Sequence, residues 1–361
     1  MEGVGAAAGA AVAIDHGTYR PTRLTLQWHI TEACNLTCRH CYQEPQRHTP
    51  SFTELLDALE QFRRLLHHYR TTQPKQVLRA HINLTGGEPF SHPQIFHLLD
   101  RLHAHRQEFS FALLSNGSYL DSETTERLAL LKPRFVQLSL EGSASTHDAI
   151  RGAGDHQRVC RAIRTLKQEN IPVLLSFTAQ QCNFREFPQV AKLGRKYGVR
   201  RVWADRFIPL GSAAREREQV LSPDETREFC TIMKQTQRSW KRFSKTEIAM
   251  HRALQFLIGD GRPYRCHAGG ELITLMANGD LVPCRRMPLT VGNLQHTPLL
   301  ELYRTAPLLN ELRAPHPQEH PCHPCPYSAA CRGGLRCLSH AVNGSWNTRD
   351  PGCWRNLSTS P

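Results

Sequence analysis

Long hydrophobic runs are missing from this 361-residue chain. No apolar stretch approaches the roughly 20 residues that a helix needs to cross a bilayer, which excludes an ordinary membrane-spanning protein. A basic segment is also missing from the N-terminus, where the apolar stretch GVGAAAGAAVAI is short and is followed at once by Asp15 and His16. We therefore expect residues 1–21 to form a disordered tail rather than a secretory signal peptide.

Blocks of like charge are missing as well, although the formal net charge is +13, from 45 basic and 32 acidic side chains. No run of five or more Lys and Arg occurs, and neither a helix-turn-helix nor an RNA-recognition signature is present. A generally basic surface is therefore favoured over a nucleic-acid partner. Cysteines that bind metal are deprotonated, so metal binding would bring the net charge closer to neutral.

Cysteine, by contrast, is abundant: ten of the 13 cysteines fall in two groups. A disulfide framework is typical of small secreted proteins, and this chain is neither small nor marked by a signal peptide. Metal ligation in a reducing cytoplasm explains the grouping better. Cys160, Cys182 and Cys230 lie outside both groups, and we expect each to be an ordinary buried thiol rather than a ligand.

Short β-rich runs alternate with amphipathic helical patterns from about residue 24 to 206, which is typical of parallel β/α units. Six such repeats, with no obvious seventh, predict an α/β fold, namely a partial (β/α)6 TIM-type barrel. In β/α barrels the working residues lie at the carboxyl ends of the strands. The predicted strands are Leu24–Thr31, Ala80–Thr85, Phe109–Leu114, Phe135–Leu140, Val173–Thr178 and Arg201–Phe207.

The composition changes at about residue 263, after which Pro, Gly, His and seven cysteines dominate. Such a sequence has little apolar core, so it predicts a small domain stabilised by metal. The predicted organisation is a tail (1–21), the partial barrel (22–214), a helical connector (215–262), the cysteine-rich domain (263–355) and a second tail (356–361).

The first cysteine group is the run CNLTCRHC, directly after the first predicted strand. Cys34, Cys38 and Cys41 supply three thiolates, so a cubane cluster of four irons bound here would keep one iron free to chelate a small molecule. Zinc would require a fourth ligand in a closed site, for which His40 is a conceivable candidate.

The second motif, TGGEP, ends the second predicted strand. Its glycines let backbone groups approach a ligand closely, and Glu88 could accept a hydrogen bond from an amine. Alone this motif is equally compatible with a simple turn. Together with the cysteine triplet it makes the chain resemble the radical S-adenosylmethionine (SAM) enzymes, and the runs LLSNGS and VQLSLEGSASTHDAIRG continue that resemblance.

The resemblance implies a [4Fe–4S] cluster whose free iron chelates the amino and carboxylate groups of SAM. An electron from the reduced cluster then cleaves SAM to a 5′-deoxyadenosyl radical, which abstracts hydrogen from a substrate. The family more often has aspartate where Glu141 stands, so the role of position 141 stays open. The SAM-binding residues that the resemblance implies are His40, Gly86, Gly87, Glu88, Ser115, Asn116, Ser139 and Arg151.

The later cysteines resemble the SPASM extension of this family, which carries auxiliary iron–sulfur clusters. Gly279 and Cys284 have the expected spacing, but Cys337 stands two residues later than the family pattern. The resemblance assigns Cys322, Cys325, Cys331 and Cys353 to an outer cluster, and Cys266, Cys284 and Cys337 to an inner cluster. No further cysteine occurs between Cys230 and Cys266, so we hypothesise that the inner cluster has an open or non-cysteine site, with His267 or substrate as the candidate.

Asp205 ends the sixth predicted strand, where it could position substrate or accept a proton. The alternative for Asp205 is an interdomain salt bridge.

The resemblance implies hydrogen abstraction from a ribosomally made peptide or protein, with action on a tetrapyrrole or another small metabolite as the alternative. A non-enzymatic iron–sulfur carrier or redox sensor is a third possibility. The short N-terminal tail predicts that a peptide would be recognised by the barrel or by a separate protein, and a flavodoxin or ferredoxin is the expected electron donor.

Overall fold

A computed structural model describes residues 19–44, 48–240, 244–259 and 261–355. Ten strands form one sheet, in the order β10-β9-β8-β1-β2-β3-β4-β5-β6-β7. The strands are β1 Arg23–His29, β2 Arg79–Thr85, β3 Ser110–Ser115, β4 Val136–Ser139, β5 Val173–Ala179, β6 Arg201–Arg206, β7 Glu247–Ala249, β8 Leu272–Leu275, β9 Asp280–Val282 and β10 Gly292–Asn293. Strands β1 to β7 are mutually parallel, which confirms the predicted partial β/α barrel.

Eleven α-helices accompany the sheet in the described residues. They are α1 Phe52–Thr72, α2 Ile95–Ala104, α3 Ser122–Leu131, α4 Ala144–Arg151, α5 Asp155–Gln168, α6 Phe187–Lys196, α7 Pro223–Trp240, α8 Leu299–Thr305, α9 Pro307–Arg313, α10 Ser328–Cys331 and α11 Arg336–Asn343. None of the helices in these described ranges is long and apolar enough to cross a membrane. The predicted disordered tails lie almost wholly outside the described residues.

All six predicted strands are present, and the region read as a helical connector contains a further strand, β7. This strand pairs in parallel with β6, Arg201 opposite Glu247. With only three residues, β7 is too short to give a recognisable alternating pattern. The cysteine-rich region also joins the sheet, since β8 pairs in parallel with β1 through Thr25 opposite Leu272.

Helix α1 illustrates how local sequence fixes these units. Ser51 caps its first turn: the Ser51 side chain accepts from the Glu54 backbone N–H, and the Glu54 carboxylate accepts from the Ser51 N–H. Its buried face, which includes Phe62 and Leu66, packs into the main core with Trp28 of β1. That core holds the strands in place, so the loops at their carboxyl ends have a rigid support.

An ion pair buried from solvent joins β6 to the cysteine-rich region. The guanidinium of Arg206 donates to both carboxylate oxygens of Asp350, at 2.7 and 2.6 Å. Asp350 also accepts from the backbone N–H groups of Leu335 and Gly352. The carboxylate is therefore fully engaged, and it connects the barrel to the segment that carries the last cysteines.

Candidate active site at the barrel mouth

The loop after β1 carries Cys34, Cys38 and Cys41. Burial raises the pKa of each of these thiols, and the charge of a neighbouring cysteine acts on each of them. The three side chains therefore lie near one another. All 13 cysteines are free, including the ten in the two groups.

No group of three or more His, Cys, Asp or Glu side chains in the described residues is arranged to hold a single metal ion. Ligands of a cubane cluster are spread around its corners, and a set of neighbouring free thiolates has the right chemistry for it. The residues of the loop therefore fit an iron–sulfur cluster.

The glycines of TGGEP are required by contact with the cysteine loop. The Gly87 N–H donates to the Thr31 carbonyl at 2.9 Å, and the Glu88 N–H donates to the Ala33 carbonyl at 2.8 Å. A Cβ at Gly87 would lie 2.3 Å from the Ala33 oxygen, and a Cβ at Gly86 would clash with Thr31. The motif thus extends the pairing of β1 and β2 and brings Glu88 beside the cysteines.

Glu88 is fully buried and held by three donors. Its carboxylate accepts from the Ser115 hydroxyl at 2.9 Å, the Asn116 N–H at 2.7 Å and the Phe90 N–H at 3.2 Å. Burial outweighs these hydrogen bonds and raises the pKa of Glu88 to about 7. The charge of Arg151 also lowers this pKa, but no ion pair of the described residues includes Glu88, so an amino group could supply a direct cationic partner for its carboxylate.

Asn116 connects Glu88 to the cysteine loop. Its side-chain amide donates to the side-chain oxygen Oδ1 of Asn35 at 2.8 Å and lies 3.8 Å from the sulfur of Cys34. Ser115 and Asn116 therefore hydrogen-bond to Glu88, and Asn116 also bonds to the loop. The SAM contact expected of these two residues stays a prediction.

Glu141 is the centre of a buried polar network. Its carboxylate lies 3.3 Å from His40 Nε2 and 3.5 Å from Arg151 Nη1, and it accepts from the Thr178 N–H at 2.8 Å. Burial opposes its ionisation, but the hydrogen bond and charge of His40 and the charge of Arg151 keep the pKa of Glu141 below its ordinary value. The open question about position 141 is thus answered structurally: its carboxylate holds His40 and Arg151.

Arg151 is engaged on its other side by Asp155, which its Nε meets at 3.1 Å. Asp155 in turn holds His147 at 3.0 Å. His40 keeps a buried Nδ1 without a hydrogen-bond partner in the described residues. Ser139, at the end of β4, contacts the hydroxyl of Ser176 at 3.4 Å.

The three inner cysteines line one cavity at the barrel mouth. Cys266, Cys284 and Cys337 surround about 520 Å³ of open space together with barrel residues Gln27 and Trp203. The charges of Cys284 and Cys266 act on Cys337, whose thiol is buried. Cys337 therefore lies with the other two despite its shifted spacing, because it projects from the first turn of α11. We call this space the barrel-mouth cavity.

His267 lies beside the same cavity, and its Nδ1 is 3.1 Å from Glu271. A carboxylate on one ring nitrogen leaves the other available, as in many metal-ligating histidines. The four outer cysteines, Cys322, Cys325, Cys331 and Cys353, line a second cavity of about 390 Å³. The residues of both groups fit auxiliary clusters by number, proximity and donor type.

Asp205 forms the interdomain contact that the sequence left open. Its carboxylate lies 2.7 Å from Arg286 and 3.7 Å from Arg252. Burial opposes ionisation, but these two arginines keep the pKa of Asp205 below its ordinary value.

Cys182 is exposed and Cys160 and Cys230 are buried, and none of the three lines a cavity described above.

Three side chains at this mouth were missed by sequence reasoning: His29, Tyr264 and Arg285. Burial and the charge of Arg285 lower the pKa of His29 to about 3. Tyr264 and Arg285 line the barrel-mouth cavity. Each is two residues or fewer from a cysteine or a strand end, a position that could have drawn attention to it.

Fold and site together define an enzyme that holds an iron–sulfur cluster at the mouth of a partial β/α barrel. The radical SAM superfamily model matches residues 28–193, and the model of SPASM, an iron–sulfur cluster-binding domain, matches residues 266–326. The chain belongs to the radical SAM superfamily and carries a SPASM domain. Its cofactors are a [4Fe–4S] cluster, SAM and auxiliary iron–sulfur clusters. Because its homologues are enzymes, the chain is an enzyme rather than the iron–sulfur carrier or redox sensor considered as a third possibility.

Known proteins of similar sequence span almost the whole chain. An AdoMet-dependent heme synthase of Nitratidesulfovibrio vulgaris is 24% identical, covering 92% of each chain. The mycofactocin maturase MftC of Mycobacterium ulcerans is 27% identical, covering 94% of this chain and 89% of its own. The crystal structure of Streptococcus suis SuiB bound to precursor peptide SuiA has a TM-score of 0.72 at 15% identity, covering 92% of this chain and 76% of SuiB. The SuiB similarity concerns the fold.

Proposed function

We propose that this radical SAM enzyme abstracts hydrogen from a peptide bound in the barrel-mouth cavity, as a maturase of a ribosomal peptide or protein. The observation that carries the proposal is the cavity itself, which the inner cysteines share with Gln27 of β1, the strand that leads into the Cys34–Cys41 loop. Arg285, which lines the cavity, also faces the ring of Tyr42, the residue after Cys41, so a substrate there would be near the SAM loop as well as the inner cysteines. The peptide class is supported by the names of MftC and of SuiB, solved with a precursor peptide.

In this proposal Cys34, Cys38 and Cys41 hold the SAM cluster, which when bound supplies the electron that cleaves SAM. Glu88 accepts from the SAM amino group, because its buried carboxylate forms no ion pair within the described residues. Gly86 and Gly87 allow the close backbone approach that sets the position of Glu88.

The second set of SAM contacts belongs to His40, Ser139 and Arg151. His40 Nδ1 is buried without a partner, so it has a hydrogen bond to offer a ligand. Arg151 is clamped by Glu141 and Asp155 and therefore has a fixed orientation. Ser139 keeps hydroxyl capacity beyond its long contact with Ser176.

For the auxiliary clusters we propose that Cys322, Cys325, Cys331 and Cys353 hold the outer one and that Cys266, Cys284 and Cys337 hold the inner one. With three cysteines, the inner cluster keeps one position for His267 or for substrate. Asp205 stays our predicted catalytic residue, but its pairing with Arg286 and Arg252 favours a role in positioning those arginines.

A second candidate is oxidation of a tetrapyrrole side chain, which the name of the Nitratidesulfovibrio vulgaris relative supports. Arginines at the barrel mouth would suit the carboxylates of such a molecule. A flavodoxin or ferredoxin as electron donor, a separate peptide-recognition protein and a cytoplasmic location belong to the same proposal.

Anaerobic reconstitution with iron and sulfide, followed by SAM and dithionite, tests the proposal. We expect 5′-deoxyadenosine from the wild type and none from Cys38→Ala, with Cys182→Ala as the matched control that keeps activity. Deuterated peptides encoded near the gene and deuterated porphyrins are then offered as alternative substrates. Deuterium that appears in 5′-deoxyadenosine identifies the substrate from which hydrogen is abstracted. Transfer only from porphyrin would contradict the peptide assignment and support the second candidate.

A further inference from the structure

Arg285 differs from the other arginines of the barrel-mouth cavity. Arg252 and Arg286 both contact Asp205, whereas no carboxylate of the described residues lies within ion-pair distance of Arg285. Its guanidinium faces an aromatic ring instead: the guanidinium carbon lies 5.6 Å from the ring centroid of Tyr42. A half-buried cation without a counter-charge is costly unless a ligand supplies the charge.

The local backbone explains why two adjacent arginines have different partners. The Cys284 carbonyl accepts from the Met287 N–H at 2.8 Å, which closes a tight turn with Arg285 and Arg286 at its centre. The side chains at the centre of such a turn diverge. Arg286 reaches Asp205 of β6, while Arg285 crosses to Tyr42, the residue after Cys41.

His29, at the carboxyl end of β1, brings a second unpaired donor to the same place. Its ring is fully buried, and Nε2 has no hydrogen-bond partner in the described residues. Its Nδ1 lies 3.4 Å from the amide nitrogen of Gln43, which can only donate, so Nδ1 is the acceptor and Nε2 carries the hydrogen. Gln43 Nε2 also lies 3.4 Å from the Tyr42 hydroxyl, and the ring of Tyr42 faces the Arg285 guanidinium, so Tyr42 and Gln43 connect His29 to Arg285. Burial, together with the charge of Arg285, lowers the pKa of His29 and keeps its ring neutral.

We propose that Arg285 and His29 bind a carboxylate of the substrate between the SAM-binding loop and the inner cysteines. His29 offers an N–H donor, and Arg285 offers a guanidinium without a carboxylate partner in the described residues. The two oxygens of a substrate carboxylate can accept from both groups. This inference rests on the proposed function, and it narrows the substrate to molecules that carry a carboxylate near the reacting carbon. SAM also has a carboxylate, so the SAM affinity of the Arg285 variant is measured to separate the two ligands.

The test uses reconstituted, SAM-loaded enzyme under anaerobic equilibrium dialysis. The probes are a tetracarboxylate porphyrin with its tetramethyl ester, and an Asp- and Glu-containing peptide with its Asn and Gln counterpart. We expect the wild type to bind the acid form of at least one pair about tenfold or more tightly than the neutral form. Arg285→Gln should lose about ten- to hundredfold in affinity for that acid, while its affinity for the neutral form stays the same.

Arg262→Gln is the matched control, because Arg262 is an exposed arginine of the same region. Arg285→Lys keeps the charge and should retain part of the preference, and His29→Gln keeps an N–H donor. No preference for the acid in either probe pair would overturn the proposal, as would an equal loss of SAM affinity in Arg285→Gln, which would assign the carboxylate to SAM. Failure of the proposed function is separate, since it appears as wild-type enzyme that releases no 5′-deoxyadenosine.

Discussion

The buried Arg206–Asp350 pair gives the sharpest stability prediction. Replacing Asp350 with Asn keeps the shape of the side chain but leaves the guanidinium of Arg206, 4% exposed, without a counter-charge. Breaking one side of a buried ion pair costs about 3–5 kcal/mol. Because Asp350 also accepts from two backbone N–H groups, we expect Asp350→Asn to fall within that range.

The chain offers a matched pair of nearly the same geometry at the surface. Arg185 and Glu228 make two hydrogen bonds of 2.7 and 2.8 Å, but their side chains are 61% and 43% exposed. Solvent screens such a pair, so Glu228→Gln should cost less than about 1 kcal/mol. The two substitutions therefore differ chiefly in burial.

The assay is denaturant unfolding of the reconstituted enzyme without oxygen, followed by circular dichroism and by cluster absorbance. Asp350 lines the outer cysteine cavity, so the Asn variant should also lose up to roughly a third of the bound iron. Replacing Arg206 with Met in the Asp350→Asn variant removes the uncompensated guanidinium and keeps the Asn oxygen as an acceptor, so the double change should cost less than Asp350→Asn alone. Equal costs for Asp350→Asn and Glu228→Gln would refute the reasoning, because burial would then contribute nothing.

Three further predictions concern the SAM loop and its support. Gly87→Ala places a Cβ 2.3 Å from the Ala33 oxygen, so SAM binding should be lost while the outer cysteines still bind iron, as measured by SAM dialysis and iron content. SAM affinity should weaken about tenfold between pH 8 and pH 6, because the pKa of Glu88 is raised from 4.5 to about 7, and Glu88→Gln should abolish that dependence. The pH dependence of folding stability has the opposite sign to that of SAM affinity. Because the pKa of Glu88 is raised in the folded chain, its contribution to the free energy of unfolding is present below pH 4.5 and is lost as the pH rises through about 7. Ser51→Ala removes the cap of α1 and should cost about 1 kcal/mol in denaturant unfolding, whereas Ser118→Ala, outside any helix, should cost less.

The parts of the fold that were predictable are those with a local signal. Six strands carried enough apolar or β-branched residues to be recognised, and each was found within two residues of its predicted bounds. Strand β7 has three residues and no such pattern. The pairing of β8 with β1 joins positions about 250 residues apart, for which no local pattern exists.

The candidate site divides in the same way. Cysteine spacing and TGGEP are contiguous motifs, so the sequence could indicate the SAM loop. The roles of Glu141, Arg285 and His29 depend on their neighbours in the folded chain. Those neighbours are known only from the three-dimensional structure, so no local motif indicates these residues. Asp205 was ambiguous because a strand-end carboxylate has the same sequence signal whether it meets solvent or an arginine.

Strand β1 sets the distance between the two cysteine groups. On one edge it pairs with β2, and that pairing continues through Thr31 and Ala33 into the loop that carries Glu88. On its other edge it pairs with β8, which is flanked in sequence by Cys266 and Cys284. The carboxyl end of β1 leads directly to Cys34. Because one buried strand supports the SAM loop, Glu88 and the inner cysteines together, a shift of the β8 register by one residue would move the inner cysteines relative to the SAM loop.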